Sequence, residues 1–557
     1  MTLCTFFFLL GTRSLNEPDE GRYSEIAREM IESGDWLVPH FWYLPHFDKP
    51  PMTYWLVAAS MTLFGQNEWA VRLPIALAGL SGVCVAWLFG RSLGGPRVGL
   101  WSALILQSCL LYFIMARMLT TDIFLTQFVA WAIYCFWRSW LSLRKASVRT
   151  FWLWHLAAWL AVLLGFLTKG PLALAIPLVA ILFLVVLRWK TFSGKGILIC
   201  GLLVGLILSL GLASIWFLAV NRRVPQTLNY MVFHQAAGHV LGGTIKGRRG
   251  FPGYFFVILA AGLLPWTWLL GWLWRRAHWR KLSPVQKDGW LVLNAWAIFT
   301  FTLFNFTHSK LPPYILPMFP PLATMLALRF FGETKDNELI GPPAWAWRLC
   351  AASALLLPIA FAVAVPLAYH VTAPHWLIWQ VPVAGVAAVG IFWLARNWRV
   401  SKRALVTAGV AILSLWIVTA EAPLFETDFK YNQTLNPLGE SMRKNYQPGD
   451  AVVCWGVLPE GLPFYAGGVI SLTHRPFFAG MNLTRVPFEF PGNQERLGSL
   501  LLPGENENDA LAQLLKSNRR VLVVSDQKSL NRLQNIAPGL PLHVLDQCGQ
   551  WQLLCNR

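Results

Sequence analysis

Apolar windows of about 20 residues, each long enough to cross roughly 30 Å of hydrocarbon, follow one another from about residue 70 to residue 420. A backbone in lipid must satisfy its own hydrogen bonds, so such a chain is confined to a polytopic bundle of helices. The spanning candidates are 69–90, 98–116, 123–143, 151–167, 171–187, 197–220, 253–274, 289–306, 311–331, 347–369, 376–395 and 404–420. The apolar opening, 1–11, is too short to span and reads as the end of a first spanning helix, which brings the count to about thirteen. The run 52–64 is also short and is expected to lie at the interface.

Charge sets the orientation. The chain is 55% hydrophobic and only 13% charged, so its net charge of +19 is a topology signal and does not point to nucleic acid. Alternate loops are basic: Arg91 and Arg97; Arg144, Lys145 and Arg149; Arg188, Lys190 and Lys195; Arg275 to Lys287; Lys335 and Arg348; Arg399 to Arg403. These loops are cytoplasmic by the positive-inside rule, which puts 12–68, 221–251 and everything after residue 420 outside. Two domains are expected: a membrane domain over 1–420 and a water-soluble α/β domain over 421–557. In the latter, strand-like runs at 451–457, 469–472, 520–524 and 542–545 accompany a helical 509–517. The nine cysteines form no CxxC pair; Cys548 and Cys555 can bridge if the outer side is oxidising.

Between the opening run and 52–64 lies a long polar stretch, NEPDEGRYSEIAREMIESGDWLVPHFWYLPHFDKPP, from Asn16 to Pro51. Asn16 can cap a helix whose first turn holds Glu17, Pro18 and Asp19. Tyr23, Ile26, Ala27 and Met30 recur at helical spacing, with Glu25, Arg28, Glu29 and Glu32 opposite, which predicts an amphipathic helix lying on a surface. Asp19, Arg22 and Tyr23 share one edge of its first turn.

Ionisable residues gather at the same outer side: Asp19, Glu20, Arg22, Tyr23, Asp48 and Lys49 with Asp122, Lys169 and Lys310 at ends of spans. Such groups cost a few kcal/mol unless a partner or a water-filled cavity receives them, and one cavity can serve them all. Singly, each has a plainer reading. Asp19 and Asp122 can be helix caps, Lys169 and Lys310 snorkelling anchors. The glycine-rich loop GTIKGRRGFPGYFF, with Lys246 and Arg248, is either an anionic-lipid contact or a phosphate clamp.

The ordered motifs PDEGRYSEIAREM, GDWLVPH, FDKPPMTYWL, NEWAVRLP, TTDIFLT, FLTKGP and KLPPYILPMFPPLA closely resemble those of the bacterial 4-amino-4-deoxy-L-arabinose (L-Ara4N) lipid A transferases, a GT-C family related to protein O-mannosyltransferases. Two motifs depart from the family's usual DETRYAE and FEKP, which stand here as DEGRYSE and FDKP. The resemblance implies an all-α polytopic GT-C membrane domain of about thirteen helices with a C-terminal α/β periplasmic domain. It implies a bacterial inner-membrane enzyme, a monomer, that transfers the sugar from undecaprenyl phosphate to lipid A phosphates. Resistance to cationic antimicrobial peptides would follow. It makes Asp19 and Asp122 the catalytic acids, with Glu20, Arg22, Tyr23, Lys49, Lys169, Lys246, Arg248, Lys310 and Tyr314 binding substrate. It further implies a divalent metal such as zinc near the first loop, with Asp48, His234 and His239 as its set. A GT-C transferase for another polyprenyl-phosphate sugar or a protein hydroxyl stays open. A lipid transporter fits less well, because ionisable groups sit at span ends and no segments repeat.

Overall fold

The structure is a computed structural model. It describes residues 2–557 apart from 193, 238–249, 275, 333–341, 370–399, 422–433, 481–489, 494–495, 497, 503–506, 537–538 and 540–541.

The membrane part is a helical bundle. α1 (Thr2–Phe7), α2 (Asp19–Ser33), α3 (Met52–Phe64), α4 (Glu68–Gln107), α5 (Leu110–Met115), α6 (Thr121–Arg144), α7 (Val148–Lys169), α8 (Leu172–Arg188) and α9 (Lys195–Arg223) come first. Helices over Tyr254–Gly262, Trp266–Trp272, Pro284–Phe306, Phe319–Phe331, Ala344–Tyr369 and Val400–Glu421 follow. Among the described residues, eight helices are long and apolar enough to cross a bilayer, nine if one bent pair is counted as a span. Against the expected thirteen, two differences have a visible cause. The spans 69–90 and 98–116 share α4, broken at Gly94 and at Gly95 (φ 78°) just before Pro96. The span 253–274 is two short helices meeting at 114°. The span 376–395 lies outside the described residues. The 13-residue α3 is apolar and too short to cross, as its length requires.

α2 departs from the surface helix that its pattern predicts. Its residues from Glu20 to Met30 are all buried, because two partners cover it. One face packs on α3. The polar face, which alone would face water, is covered by the C-terminal unit: Glu32 accepts the Leu472 N–H at 2.8 Å, and Arg475 lies 5.1 Å over the Tyr43 ring. Trp42, fully buried, meets Phe478 edge-on at 5.1 Å. Asn16 does not cap this helix. Pro18 holds the cap position, and the Asn16 N–H donates instead to Glu20 at 3.0 Å. The helix stops at Gly34, whose φ of 68° suits glycine.

A short antiparallel hairpin of β1 (His40–Phe41) and β2 (Leu44–Pro45) lies between α2 and α3, and the C-terminal unit carries a five-stranded sheet of β3 (Ala451–Trp455), β4 (Phe477–Ala479), β5 (Val521–Asp526), β6 (His543–Cys548) and β7 (Trp551–Cys555) in the order β4-β3-β5-β7-β6. β3 pairs in parallel with β4 and β5; β7 pairs antiparallel with β5 and with β6. The run 469–472 forms no strand, and β4 takes its place. The helix expected over 509–517 is found at Glu507–Lys516. Cys548 and Cys555 do not bridge. In the β6–β7 register Cys548 faces Trp551 and Cys555 faces His543, so the two thiols sit at opposite ends of the hairpin.

Candidate functional site

The first turn of α2 sets the arrangement. Asp19 and Arg22 are one turn apart, with 3.8 Å between Arg22 Nη1 and Asp19 Oδ1. Arg22 does not rest on Asp19. Its Nε and Nη2 donate to Glu460 of the C-terminal unit at 2.6 and 3.1 Å, a two-pronged charge-assisted pair. The Asp19 side chain is left 50% exposed, while those of Arg22 and Glu460 are 11% and 12% exposed. The Tyr23 ring lies 5.8 Å from that of Tyr54.

The knot after β2 (Leu44–Pro45) brings a second acid beside this turn. Asp48 accepts from Lys49 Nζ at 2.9 Å. Burial alone would raise the Asp48 carboxyl, but the charges of Lys49 and Arg22 hold it well below the usual carboxylate range. Burial pushes the neighbouring His46 imidazole down to about 3, so the ring is neutral, and its Nε2 has no protein partner. Glu17 is the opposite case. Burial first, and Glu460 second, push its carboxyl well above the usual range, although its Oε1 accepts the Gly461 N–H at 2.9 Å.

A second group stands at the start of α6. Lys169, at the C-terminal end of α7, donates to Asp122 Oδ1 at 2.5 Å, and its ammonium lies 4.8 Å over the Tyr314 ring. Both side chains are about nine-tenths buried, at 11% and 9% exposure, so the pair is geometrically fixed. Lys310 lies 6.0 Å from the Phe255 ring.

Glu20 stands between the two groups and is spent on structure. Its Oε1 accepts from Arg72 Nε at 2.9 Å and from the Leu119 N–H at 3.0 Å; its Oε2 accepts from Arg72 Nη2, Arg13 Nη2 and the Asn16 N–H at 2.9, 2.8 and 3.0 Å. With 1% of its side chain exposed, Glu20 ties α2 to α4 and to the chain entering α6.

Residues 48–216 match the family described as dolichyl-phosphate-mannose-protein mannosyltransferase. The undecaprenyl phosphate-α-4-amino-4-deoxy-L-arabinose arabinosyl transferase of Erwinia tasmaniensis is 32% identical over 427 residues, 73% of each chain. The chain belongs to this arabinosyl transferase family. The Edwardsiella ictaluri arabinosyl transferase is 37% identical over 335 residues, a match spanning 58% of the length of each. Structurally, the crystal structure of the Cupriavidus metallidurans family member bound to undecaprenyl phosphate superposes with a TM-score of 0.79 at 23% identity, covering 100% of this chain and 96% of that one. An apo oligosaccharyltransferase from Archaeoglobus fulgidus superposes with a TM-score of 0.52 at 14% identity, over 94% of this chain and 68% of the other. At those identities the likeness is one of fold, the helical GT-C architecture.

Of the expected metal set, Asp48 alone has a described side chain. Among the described residues no three His, Cys, Asp or Glu side chains converge on one point, and Asp48 is engaged by Lys49. His239 and the side chain of His234 lie outside the described residues, as do Lys246 and Arg248. The zinc expectation therefore has no described donor set behind it, and no step is routed through a metal. Sequence reasoning missed Arg72, Glu17 and Glu460. Arg72 was readable, because an arginine inside an apolar run demands a buried partner. Glu17 and Glu460 carried no such signal; their importance comes from a contact across 444 residues of chain.

Proposed function

We propose that this chain transfers 4-amino-4-deoxy-L-arabinose from undecaprenyl phosphate to phosphate groups of lipid A, on the periplasmic face of the bacterial inner membrane. The observation that carries the reading is the 32% identity to the Erwinia tasmaniensis arabinosyl transferase over 73% of both chains. The alternation of basic and uncharged loops supports the orientation, with α2 and the C-terminal sheet on the periplasmic side.

The chemistry follows from the charges. An acceptor phosphate oxygen attacks the anomeric carbon, the bond from that carbon to the donor phosphate oxygen breaks, and undecaprenyl phosphate leaves with the bonding electrons. Fixed cations stabilise the negative charge on the departing phosphate. Lys49 and Lys169 suit this role, since the acids at 2.9 and 2.5 Å hold their ammonium groups in place before substrate arrives. Arg22 and Lys310 add to it, Tyr23 and Tyr314 line the two groups, and Lys246 and Arg248 supply a phosphate clamp from the 221–251 loop. A phosphate monoester is already anionic near neutral pH, its second pKa being about 6, so a strong base is not required. Asp19, half exposed, stabilises positive charge developing on the sugar, and Asp122 positions Lys169.

The mannosyltransferase family description over residues 48–216 favours one second reading, transfer to a protein hydroxyl. An alcohol acceptor would need Asp19 as a base. Mass spectrometry of lipid A from cells lacking this gene, complemented by wild type or by Asp19→Ala, tests both. Aminoarabinose restored by wild type alone is the expected result. Unmodified lipid A with both, at matched expression and with donor present, refutes the lipid A reading.

A further inference from the structure

We propose that Glu460, carried by the C-terminal unit, is a positioning residue for this transfer: it turns the Arg22 guanidinium away from Asp19, and a side-chain-free contact between Gly21 and Gly461 sets its reach. The inference rests on the proposed glycosyl transfer for its kinetic meaning, but the contact itself is independent of it.

The geometry is that of a competition. Arg22 lies one helical turn after Asp19 on α2, the spacing at which an acid and an arginine ordinarily pair. Here the pair is open at 3.8 Å, because two edges of the guanidinium are taken by Glu460 at 2.6 and 3.1 Å. Deleting the Glu460 charge frees Arg22 to close on Asp19 and occupy the carboxylate that the sugar needs. The C-terminal unit thus keeps Asp19 open without touching the substrate.

What sets the reach of Glu460 is the next residue. Gly461 lies against Gly21 in the first turn of α2. A Cβ on Gly21 would stand 2.8 Å from Gly461 N and 2.9 Å from Gly461 Cα, and would collide with Glu17 Oε1; a Cβ on Gly461 would stand 3.0 Å from Gly21 Cα and collide with the same oxygen. Neither glycine is needed for its backbone angles; both are needed for space. Glu17 closes the seam by accepting the Gly461 N–H at 2.9 Å. A single methyl group at residue 21 would push the loop carrying Glu460 away from Arg22.

The test uses the full-length protein in detergent, with undecaprenyl phosphate-linked aminoarabinose as donor and lipid A as acceptor, for wild type, Glu460→Gln, Glu460→Asp, Gly21→Ala, Arg22→Gln and the Glu460→Gln/Arg22→Gln double variant. Glu460→Gln and Gly21→Ala should each lower kcat on the order of 10- to 100-fold with donor KM within about twofold of wild type, and Glu460→Asp should recover part of the loss. Because Glu460 acts through Arg22, the double variant should be no slower than Arg22→Gln alone. Wild-type kcat in Glu460→Gln or in Gly21→Ala, or losses that multiply in the double variant, would overturn the proposal. If wild type itself transfers nothing, the functional reading fails. The contact is then judged by hydrogen exchange over residues 17–25: faster exchange in Glu460→Gln and Gly21→Ala supports it, and unchanged exchange overturns it.

Discussion

Asp19 and Glu20 are neighbours, yet one side chain is half exposed and the other is buried in ion pairs, and substitution should separate the two. Glu20→Gln keeps the shape and deletes the charge. The Arg72 guanidinium, 1% exposed, then loses the carboxylate that receives two of its bonds, and Arg13 loses its acceptor. Removing one partner of a buried, multiply bonded ion pair costs about 3–5 kcal/mol, because the remaining charge stays in low dielectric. The Asn16 and Leu119 N–H groups each lose a charged acceptor as well. Asp19→Asn should change stability by less than about 0.5 kcal/mol, since its carboxylate is half exposed and its arginine lies 3.8 Å away. Its transfer rate should instead fall on the order of 10²- to 10³-fold, the loss expected for a group that stabilises transition-state charge. Thermal unfolding of the purified proteins in detergent, beside initial transfer rates, reads both. A Glu20→Gln protein that unfolds at the wild-type midpoint while losing transfer would refute the scaffold assignment and return Glu20 to the substrate site.

Two further outcomes follow from the same charges. Glu17 carries a carboxyl raised by burial and by Glu460, so the folded state holds its proton where an unfolded chain would release it. The stability it adds is complete below the ordinary value of 4.5 and drains as pH climbs towards the raised one. Glu17→Gln should therefore flatten the fall of the unfolding midpoint above that range. A slope equal to that of wild type would contradict a protonated Glu17. Lys169→Met leaves the buried Asp122 without its cation and the donor phosphate with one charge fewer, and transfer should drop on the order of 10²-fold or more in an assay of initial rates; wild-type turnover would remove Lys169 from the phosphate-binding set.

The parts of this chain that could be read ahead were those that obey a local rule. Apolar length located the spans because lipid leaves the backbone no alternative to helix. Helical periodicity located α2, and the family motifs pointed to Asp19, Asp122, Lys49 and Lys169. Reading failed where the deciding partner was distant in sequence. Glu25, Arg28 and Glu29 looked like a solvated face, yet they are buried, at 0%, 7% and 1% exposure, because β1 and the turn after it pack on this helix, where the Tyr43 hydroxyl accepts from Arg28 and the Tyr43 N–H donates to Glu29. Cys548 and Cys555 looked like a bridge until the hairpin register separated them. Asn16 looked like a cap, but the helix starts later than its pattern suggests, and Pro18, which has no side-chain acceptor, holds the cap position.

Burying the polar face of α2 has a physical consequence for how such a site is kept rigid. A surface helix would hold Asp19 and Arg22 only by its own backbone, and a first turn frays. Here the same turn is fixed from two directions. From the membrane side Glu20 anchors it to Arg72 and to the Leu119 N–H beside α6, which begins at the Asp122 helix turn. From the other side Glu460 and the Gly461 N–H clamp Arg22 and Glu17. The charges on this helix are thus divided by partner: Glu20, Arg22, Glu25 and Arg28, which face protein, are paired with counter-charges, and Asp19 keeps half of its side chain exposed. Fixing the neighbours of one acid while leaving that acid half exposed, with only a long contact to Arg22, is how a helix end can be stiff and still present a charge to a substrate.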